Sequence, residues 1–308
     1  MDNTKVLIVG TGAIGSFYGG KLDCAGAQVS TLCRSDYNHI KKSGISVKSV
    51  MGDFHFMPYE VINKIEDYSS IPDYILVTTK VLPGIDIQKI IEPKVGKNTA
   101  IVLIQNGIDI EKPVREAFPN NEIISGLAFI CVSRTSLGEI YHQDYGRLII
   151  GNYPNGLSPK VKYLQSLFIK SEVDCTVDDN IVNSRWKKMI WNAPFNPISV
   201  IGGGVDTKTI LENSEAKNLV INVMKEVLEI ANKSGYNLPE TLIQKNIEDT
   251  LNMKPYKTSM LLDYENNRPL EVEVILGNAV KIARDLDLSV PNLKALYSLL
   301  LLLDKNNI

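Results

Sequence analysis

The chain of 308 residues is long enough for two domains, and its 44% hydrophobic and 22% charged residues match a globular protein with a filled core. A formal net charge of −2 leaves no basic footprint, which argues against nucleic acid or an anionic membrane as partner.

The first half alternates strand and helix signals. "KVLIVG" is a continuous β-branched run, "IGSFYGGKLDCAG" reads as a helix stopped by glycine, and "QVSTLCR" reads as a second strand. "YILVTTK" and "AIVLIQNG" are further strands of the buried type, with "PGIDIQKIIEPKVG" (83–96) as a helix between them. This βαβ alternation predicts a parallel, doubly wound sheet of the α/β class. Residues 123–150 then read as antiparallel strands joined by turns, extending the same sheet. Beyond about residue 178 the β signal fades. A stripe of apolar residues at 219, 220, 223, 224, 227, 228 and 231 predicts a helix ending at Gly235. "PETLIQKNIEDTLNM" (239–253), "LEVEVILGNAVKIARDLDL" (270–288) and "PNLKALYSLLLLLDK" (291–305) also read as helices, the first and last opening with proline. The expected organisation is therefore an N-terminal Rossmann-type nucleotide-binding domain over 1–178 and an all-α domain over 179–308.

The apolar run "LLLLL" is too short to cross a bilayer, and no cleavable leader is visible before "KVLIVG". Four dispersed cysteines without a C-x-x-C pair fit free thiols in a reducing compartment, and three histidines make a zinc site improbable. A cytoplasmic protein without a metal is expected.

"GTGAIG" supplies Gly10, Thr11, Gly12, Ala13, Ile14 and Gly15 directly after a strand and at the opening of a helix. This is the context a dinucleotide fingerprint needs. The first glycine makes the turn, the second lets the backbone approach a pyrophosphate, and the third lets helix and strand pack closely. The helix start offers free N–H groups to the phosphates. The second strand ends on Arg34 rather than an acid, which suits a ribose 2′-phosphate and points to NADPH. Asp36, two residues on, is the alternative for a ribose hydroxyl. Lys80 and Asn106 end two further strands, at the sheet edge where ligands bind in such folds, although each could simply terminate its strand.

The chemistry falls on "WKKMIWNAPFNP". Lys188, Asn192 and Asn196 are spaced i, i+4, i+8, which on a helix places them within an arc of about 80°. Lysine beside Lys187 is ordinarily a solvated surface residue. The asparagines are harder to explain so, because they are poor helix formers set among Trp, Met, Ile and Phe. A polar face in an apolar helix, together with a nicotinamide-type nucleotide fold, reads as the lining of a substrate pocket. Hydride transfer to a ketone leaves negative charge on the carbonyl oxygen. An ammonium can stabilise that charge and supply the proton, while amides hold the substrate's polar groups. The substrate expected on these grounds is a small ketone that carries hydroxyl and carboxylate groups.

"GTGAIG", "LCR", "VTTK", "IQNG", "WKKMIWNAPFNPISVI" and "SMLLDYENNRPLEVEVILGNAV" together resemble the ketopantoate reductase family (2-dehydropantoate 2-reductases), nearly end to end. That family reduces 2-dehydropantoate to (R)-pantoate with NADPH, on the route to pantothenate and coenzyme A. The resemblance implies Lys188 as general acid, Asn192 and Asn196 as substrate amides, and Ser259 as a substrate contact. It further implies Glu271 facing the lysine across an interdomain cleft, Asn106 beside nicotinamide and substrate, and Lys80 with Arg34 in the NADP site.

The chain departs from the family pattern in several places. Pro194 lies between the two asparagines, where it would remove a hydrogen bond and kink the helix. Tyr256 stands three residues before Ser259 in place of an asparagine. "VDTKT" replaces an Asn-Gly pair near residue 207, and Glu273-Val274-Ile275-Leu276-Gly277 replaces D-Y-x-N-G. These changes touch the substrate side, so another branched 2-keto acid remains an alternative substrate. Other two-domain dehydrogenases of hydroxyacid, opine or glycerol-phosphate type share the βαβ start and helical tail. A non-catalytic NADP-binding regulator would have little reason to keep the lysine and its partner. The leucine-rich final helix could supply a homodimer interface.

Overall fold

A computed structural model of the chain describes residues 4–306. Two compact units are built from interleaved segments. One comprises residues up to Lys80, Ile85–Gln105 and Glu111–Val182; the other comprises Val81–Gly84, Asn106–Ile110 and the chain from Asn183 onward.

The first unit opens with β1 (Lys5–Val9), α1 (Ala13–Cys24) and β2 (Gln28–Leu32), then α2 (Tyr37–Ser43), β3 (Ile45–Ser49), β4 (Phe54–Phe56) and β5 (Val61–Ile62). It continues with β6 (Tyr74–Val77), α3 (Ile87–Ile91), β7 (Ala100–Ile104), α4 (Glu111–Ala117), β8 (Glu122–Ser136), β9 (Glu139–Asn152), α5 (Pro159–Lys170) and β10 (Cys175–Val177). All ten strands form one mixed sheet in the order β4-β3-β9-β8-β7-β6-β1-β2-β5, with β10 also paired to β9. The run from β5 through β8 is parallel, whereas β8 and β9 form a long antiparallel hairpin. The doubly wound sheet with an antiparallel extension thus takes the form expected from the alternation. Strands β1, β6 and β7 are buried on both faces, which explains their unbroken apolar sequences. Phe17, Tyr18 and Leu22 of α1 pack into this core together with Leu164 and Phe168 of α5.

The helix expected over 83–96 is shorter. Asp86 caps α3 by accepting from Lys89 N at 3.2 Å, and after Ile91 the chain tightens into a 3-10 turn over Glu92–Lys94. Pro93 lacks the N–H that an α-helix would need there.

In the second unit α6 (Ile181–Ile201), whose first two residues belong to the sheet unit, leads into α7 (Thr207–Glu212), α8 (Ser214–Lys233), α9 (Thr241–Asn252), α10 (Ser259–Glu265), α11 (Asn278–Asp285) and α12 (Pro291–Asn306). Val220, Val223, Met224, Val227 and Ile230 of α8 are fully enclosed, as are Leu293 and Leu300 of α12. Glu226 of α8 binds the start of α12, accepting from Asn292 N, Asn292 Nδ2 and Leu293 N at 3.0, 2.7 and 2.7 Å. Pro291 opens α12 as expected, whereas α9 starts two residues beyond Pro239, whose carbonyl accepts from Leu242 N.

The stretch expected as one helix over 270–288 is instead a π-turn, Glu273–Gly277, followed by α11. In the wider turn Asn278 N–H reaches back to Glu273 O, and the carbonyl of Val274 is used elsewhere. Pro194 does not break α6. The helix runs through both Pro194 and Pro197, and every residue from Asn192 to Val200 is buried, so packing offsets the missing N–H groups.

Candidate active site

In the sheet unit, the glycine turn lies at the carboxyl end of β1. There β2 pairs on one side and β6 on the other, the place where such sheets open a crevice. Gly10 has φ +104°, and a Cβ there would come within 2.6 Å of Thr79 N. Thr78 Oγ1 donates to Gly10 O at 2.6 Å and closes the turn. Around Gly12 an added Cβ would meet nothing within 4 Å, so the space beside the backbone is open. Gly15 packs on Gly10 O and the Thr78 hydroxyl. As at any helix start, the N–H groups of Ala13, Ile14 and Gly15 have no intrahelical acceptor. These features fit a pyrophosphate cradle. The Thr11 side chain has a different job: its hydroxyl meets Thr31 Oγ1 and Leu32 O, tying the turn to β2. Only its backbone is left for a ligand.

Arg34 is exposed just beyond β2. Asp36 is buried and committed, accepting from Arg134 Nη1 at 2.7 Å and from Ser35 Oγ at 2.6 Å. It therefore does not offer the free carboxylate that a ribose hydroxyl would need. Lys80 is half-buried beyond β6, where Gln105 Nε2 donates to Thr79 O at 2.7 Å and ties the ends of β6 and β7 together.

In the helical unit, Lys188 is half-buried on α6 and its Nζ donates to Asn106 Oδ1 at 3.1 Å. Burial first, and then the Arg185 guanidinium, lower its pKa, the Glu271 carboxylate opposes both, and together they leave it at about 7. Near neutral pH the amine thus exchanges its proton readily, which a general acid needs. Glu271 Oε1 accepts from Val81 N at 3.0 Å. Lys188, Asn106, Val81 and Glu271 all belong to the helical unit. The lysine–glutamate pair is therefore internal to that unit, and does not face across an interdomain cleft as the resemblance implied. Both residues lie in the stretch of chain beyond Asn183 that builds this unit, and the short segments leaving β6 and β7 bring Val81 and Asn106 into it as well.

Asn192 and Asn196 are buried on the same helix, and Asn196 Oδ1 has no hydrogen-bond partner. An amide oxygen left so costs about 1–3 kcal/mol unless a ligand fills the role. Ser259, the first residue of α10, is exposed, while the preceding Thr258 caps that helix and bonds Ser199 Oγ at 2.7 Å.

Arg185 escaped the sequence reading. It is 2% exposed, and its Nη1 donates to Gly107 O at 2.9 Å. Its position three residues before Lys188, on nearly the same face, was the available signal. Asn278, from α11, donates to Ile108 O at 2.8 Å and left no signal in the sequence. Among the described residues no group of His, Cys, Asp and Glu side chains could hold a metal ion, and no helix is long and apolar enough to cross a membrane.

A glycine turn at the switch point of a Rossmann-like sheet, and a half-buried lysine of lowered pKa in a helical unit, define an oxidoreductase of the nicotinamide-dependent class. The comparisons agree. Residues 6–155 match the family described as "Ketopantoate reductase PanE/ApbA", and residues 180–304 match "Ketopantoate reductase PanE/ApbA C terminal". The chain belongs to the ketopantoate reductase family. It is 34% identical over 314 residues to the 2-dehydropantoate 2-reductase of Nostoc sp., covering 100% of this chain and 97% of the relative. The crystal structure of 2-dehydropantoate 2-reductase from Methylococcus capsulatus is 46% identical with TM-score 0.93, covering 98% of this chain and 97% of that one. The ternary structure of D-mandelate dehydrogenase with NADH and anilino(oxo)acetate, 20% identical with TM-score 0.90 and 99% of each chain covered, shares the fold.

Proposed function

We propose that the protein reduces 2-dehydropantoate to (R)-pantoate with NADPH, Lys188 supplying the proton. The observation that carries this reading is the Lys188 amine held on Asn106 Oδ1, its pKa lowered to about 7. When bound, NADPH supplies the hydride. Gly10 to Gly15 and the start of α1 would hold the pyrophosphate, and Arg34 the 2′-phosphate, since Asp36 is already committed to Arg134. Lys80 would add positive charge at the same sheet edge. Lys188 Nζ stabilises charge developing on the substrate oxygen and gives its proton there. Glu271 keeps that amine partly protonated by its charge. Asn192, Asn196 and Ser259 would orient the carboxylate and hydroxyl groups of the substrate, the orphaned Asn196 Oδ1 acting as acceptor.

In this reading residues 1–178, apart from Val81–Gly84 and Asn106–Ile110, which belong to the helical unit, form the NADP domain, and the helical unit is the substrate domain of a cytoplasmic enzyme. Exposed Leu299 and Leu302 on α12 offer apolar surface for a homodimer, which sedimentation velocity would test. A second substrate reading rests on Tyr256, whose ring lies 6.3 Å from that of Trp191 and makes an aromatic surface where the family pattern has an amide. That surface favours another 2-keto acid with a branched apolar group. The deciding experiment follows NADPH oxidation at 340 nm with 2-dehydropantoate and a panel of 2-keto acids. The highest kcat/KM for 2-dehydropantoate supports the reading; strong preference for another acid, or no oxidation, overturns it.

A further inference from the structure

The segment Asn106–Ile108 leaves β7, and besides the Asn106 side chain on Lys188 its backbone makes three hydrogen bonds within the helical unit. Gly107 O accepts from Arg185 Nη1 at 2.9 Å, Ile108 N donates to Val274 O at 3.1 Å, and Ile108 O accepts from Asn278 Nδ2 at 2.8 Å. Gly107 has φ +98°, and a Cβ there would come within 2.6 Å of Val274 O, so the backbone passes directly over the π-turn. Asn278 serves both structures: its backbone N–H closes the π-turn on Glu273 O, and its side chain reaches the loop. Truncating the side chain therefore leaves the turn's own bond in place and removes only the tether.

We propose that Asn278 is a positioning residue for the reduction, its side-chain amide fixing the Asn106–Ile108 loop so that Asn106 Oδ1 stays on the Lys188 amine. This rests on the reading of Lys188 as the proton donor. Two peptide bonds separate Asn106 from Ile108, so a loop loosened at Ile108 O, though still held at Gly107 O and Ile108 N, lets the Asn106 side chain spend less time within hydrogen-bond reach of Nζ. An amide oxygen only accepts, so its contact with Nζ favours the protonated amine. Losing the contact makes Lys188 give up its proton at lower pH and aims the remaining ammonium less well. Asn278 itself touches none of the reacting atoms in this scheme.

The test compares Asn278→Leu, close in shape but without a donor, and Asn278→Gln, which keeps the amide, with the unaltered protein. Lys188 is followed by NMR in protein labelled with [ε-13C]lysine, its signal assigned by its disappearance in Lys188→Arg. The expected result is a titration midpoint moved to lower pH in Asn278→Leu, with Asn278→Gln closer to the unaltered protein. At pH 7 kcat should fall about fivefold to tenfold in the leucine variant, while NADPH binding changes less than twofold. Should Asn278→Leu fail to fold, Asn278→Ala, well suited to a helix start, takes its place. An unchanged midpoint in a folded variant overturns the proposal. Absence of turnover in the unaltered protein would overturn the proposed reduction instead, and the titration would still decide the role of Asn278.

Discussion

The two units of the molecule carry their chemistry in opposite ways. In the proposed reading the sheet unit concentrates it in one turn, Gly10 to Gly15, where backbone N–H groups and missing side chains would do the work. The helical unit disperses it over Val81, Asn106, Arg185, Lys188, Glu271 and Asn278, joined by side-chain contacts between segments far apart in the chain. A backbone cradle tolerates most side-chain changes around it, whereas a side-chain network fails when one member is lost. The helical unit should therefore be the more sensitive to single substitutions.

The sharpest way to break that contrast is Lys188→Ala. Turnover should fall by about 10²–10⁴-fold, the range for a lost general acid, while NADPH titrates with unchanged affinity by fluorescence. Turnover close to that of the unaltered protein would remove Lys188 from the mechanism. The sheet unit's counterpart is Arg34→Ala. Loss of charge-assisted bonds to a 2′-phosphate should raise the KM for NADPH by about 10–100-fold and leave that for NADH nearly unchanged. Equal effects on both coenzymes would assign Arg34 to the surface.

A smaller effect comes from pH. In the proposed mechanism Lys188 acts while protonated, and its pKa is lowered to about 7, so kcat/KM for reduction should be full below that pH and decline above it. Oxidation of the product alcohol, which needs the neutral amine, should rise over the same range. Glu271 raises the pKa of the lysine, so Glu271→Gln should move the decline to lower pH. A decline that stays in place would separate Glu271 from the amine. The smallest change is expected for Ser158→Ala at the start of α5 in the sheet unit, where the hydroxyl accepts from Val161 N at 3.1 Å. A lost cap should lower stability by about 1 kcal/mol in a urea melt without altering turnover at pH 7.

Much of this was legible in advance because it depends on local pattern. The fingerprint after "KVLIV" located β1, the turn and α1, since strand period, glycine spacing and helix start are read within twenty neighbouring residues. The i, i+4, i+8 spacing put Lys188, Asn192 and Asn196 on one helix, and burial of the apolar neighbours carried that helix through Pro194, where propensity alone predicts a kink. Short elements were less legible. β3, β4 and β5 have five, three and two residues, too few for periodicity to separate them from loops. The π-turn at Glu273–Gly277 was invisible, because one extra residue per turn leaves no mark on an apolar sequence.

By itself, the sequence determined the class of fold, the place of the glycine turn and the helix that bears the lysine, because each follows from residue types close together along the chain. Tertiary structure alone decided the electrostatics of the amine. Arg185 lies one turn away, but Glu271 and Asn106 come from segments more than eighty positions distant, and Asn278 reaches the loop that carries Asn106. A lysine's ordinary pKa is a property of its side chain in water. A value of about 7 belongs to the set of charges and buried surfaces that folding gathers around it.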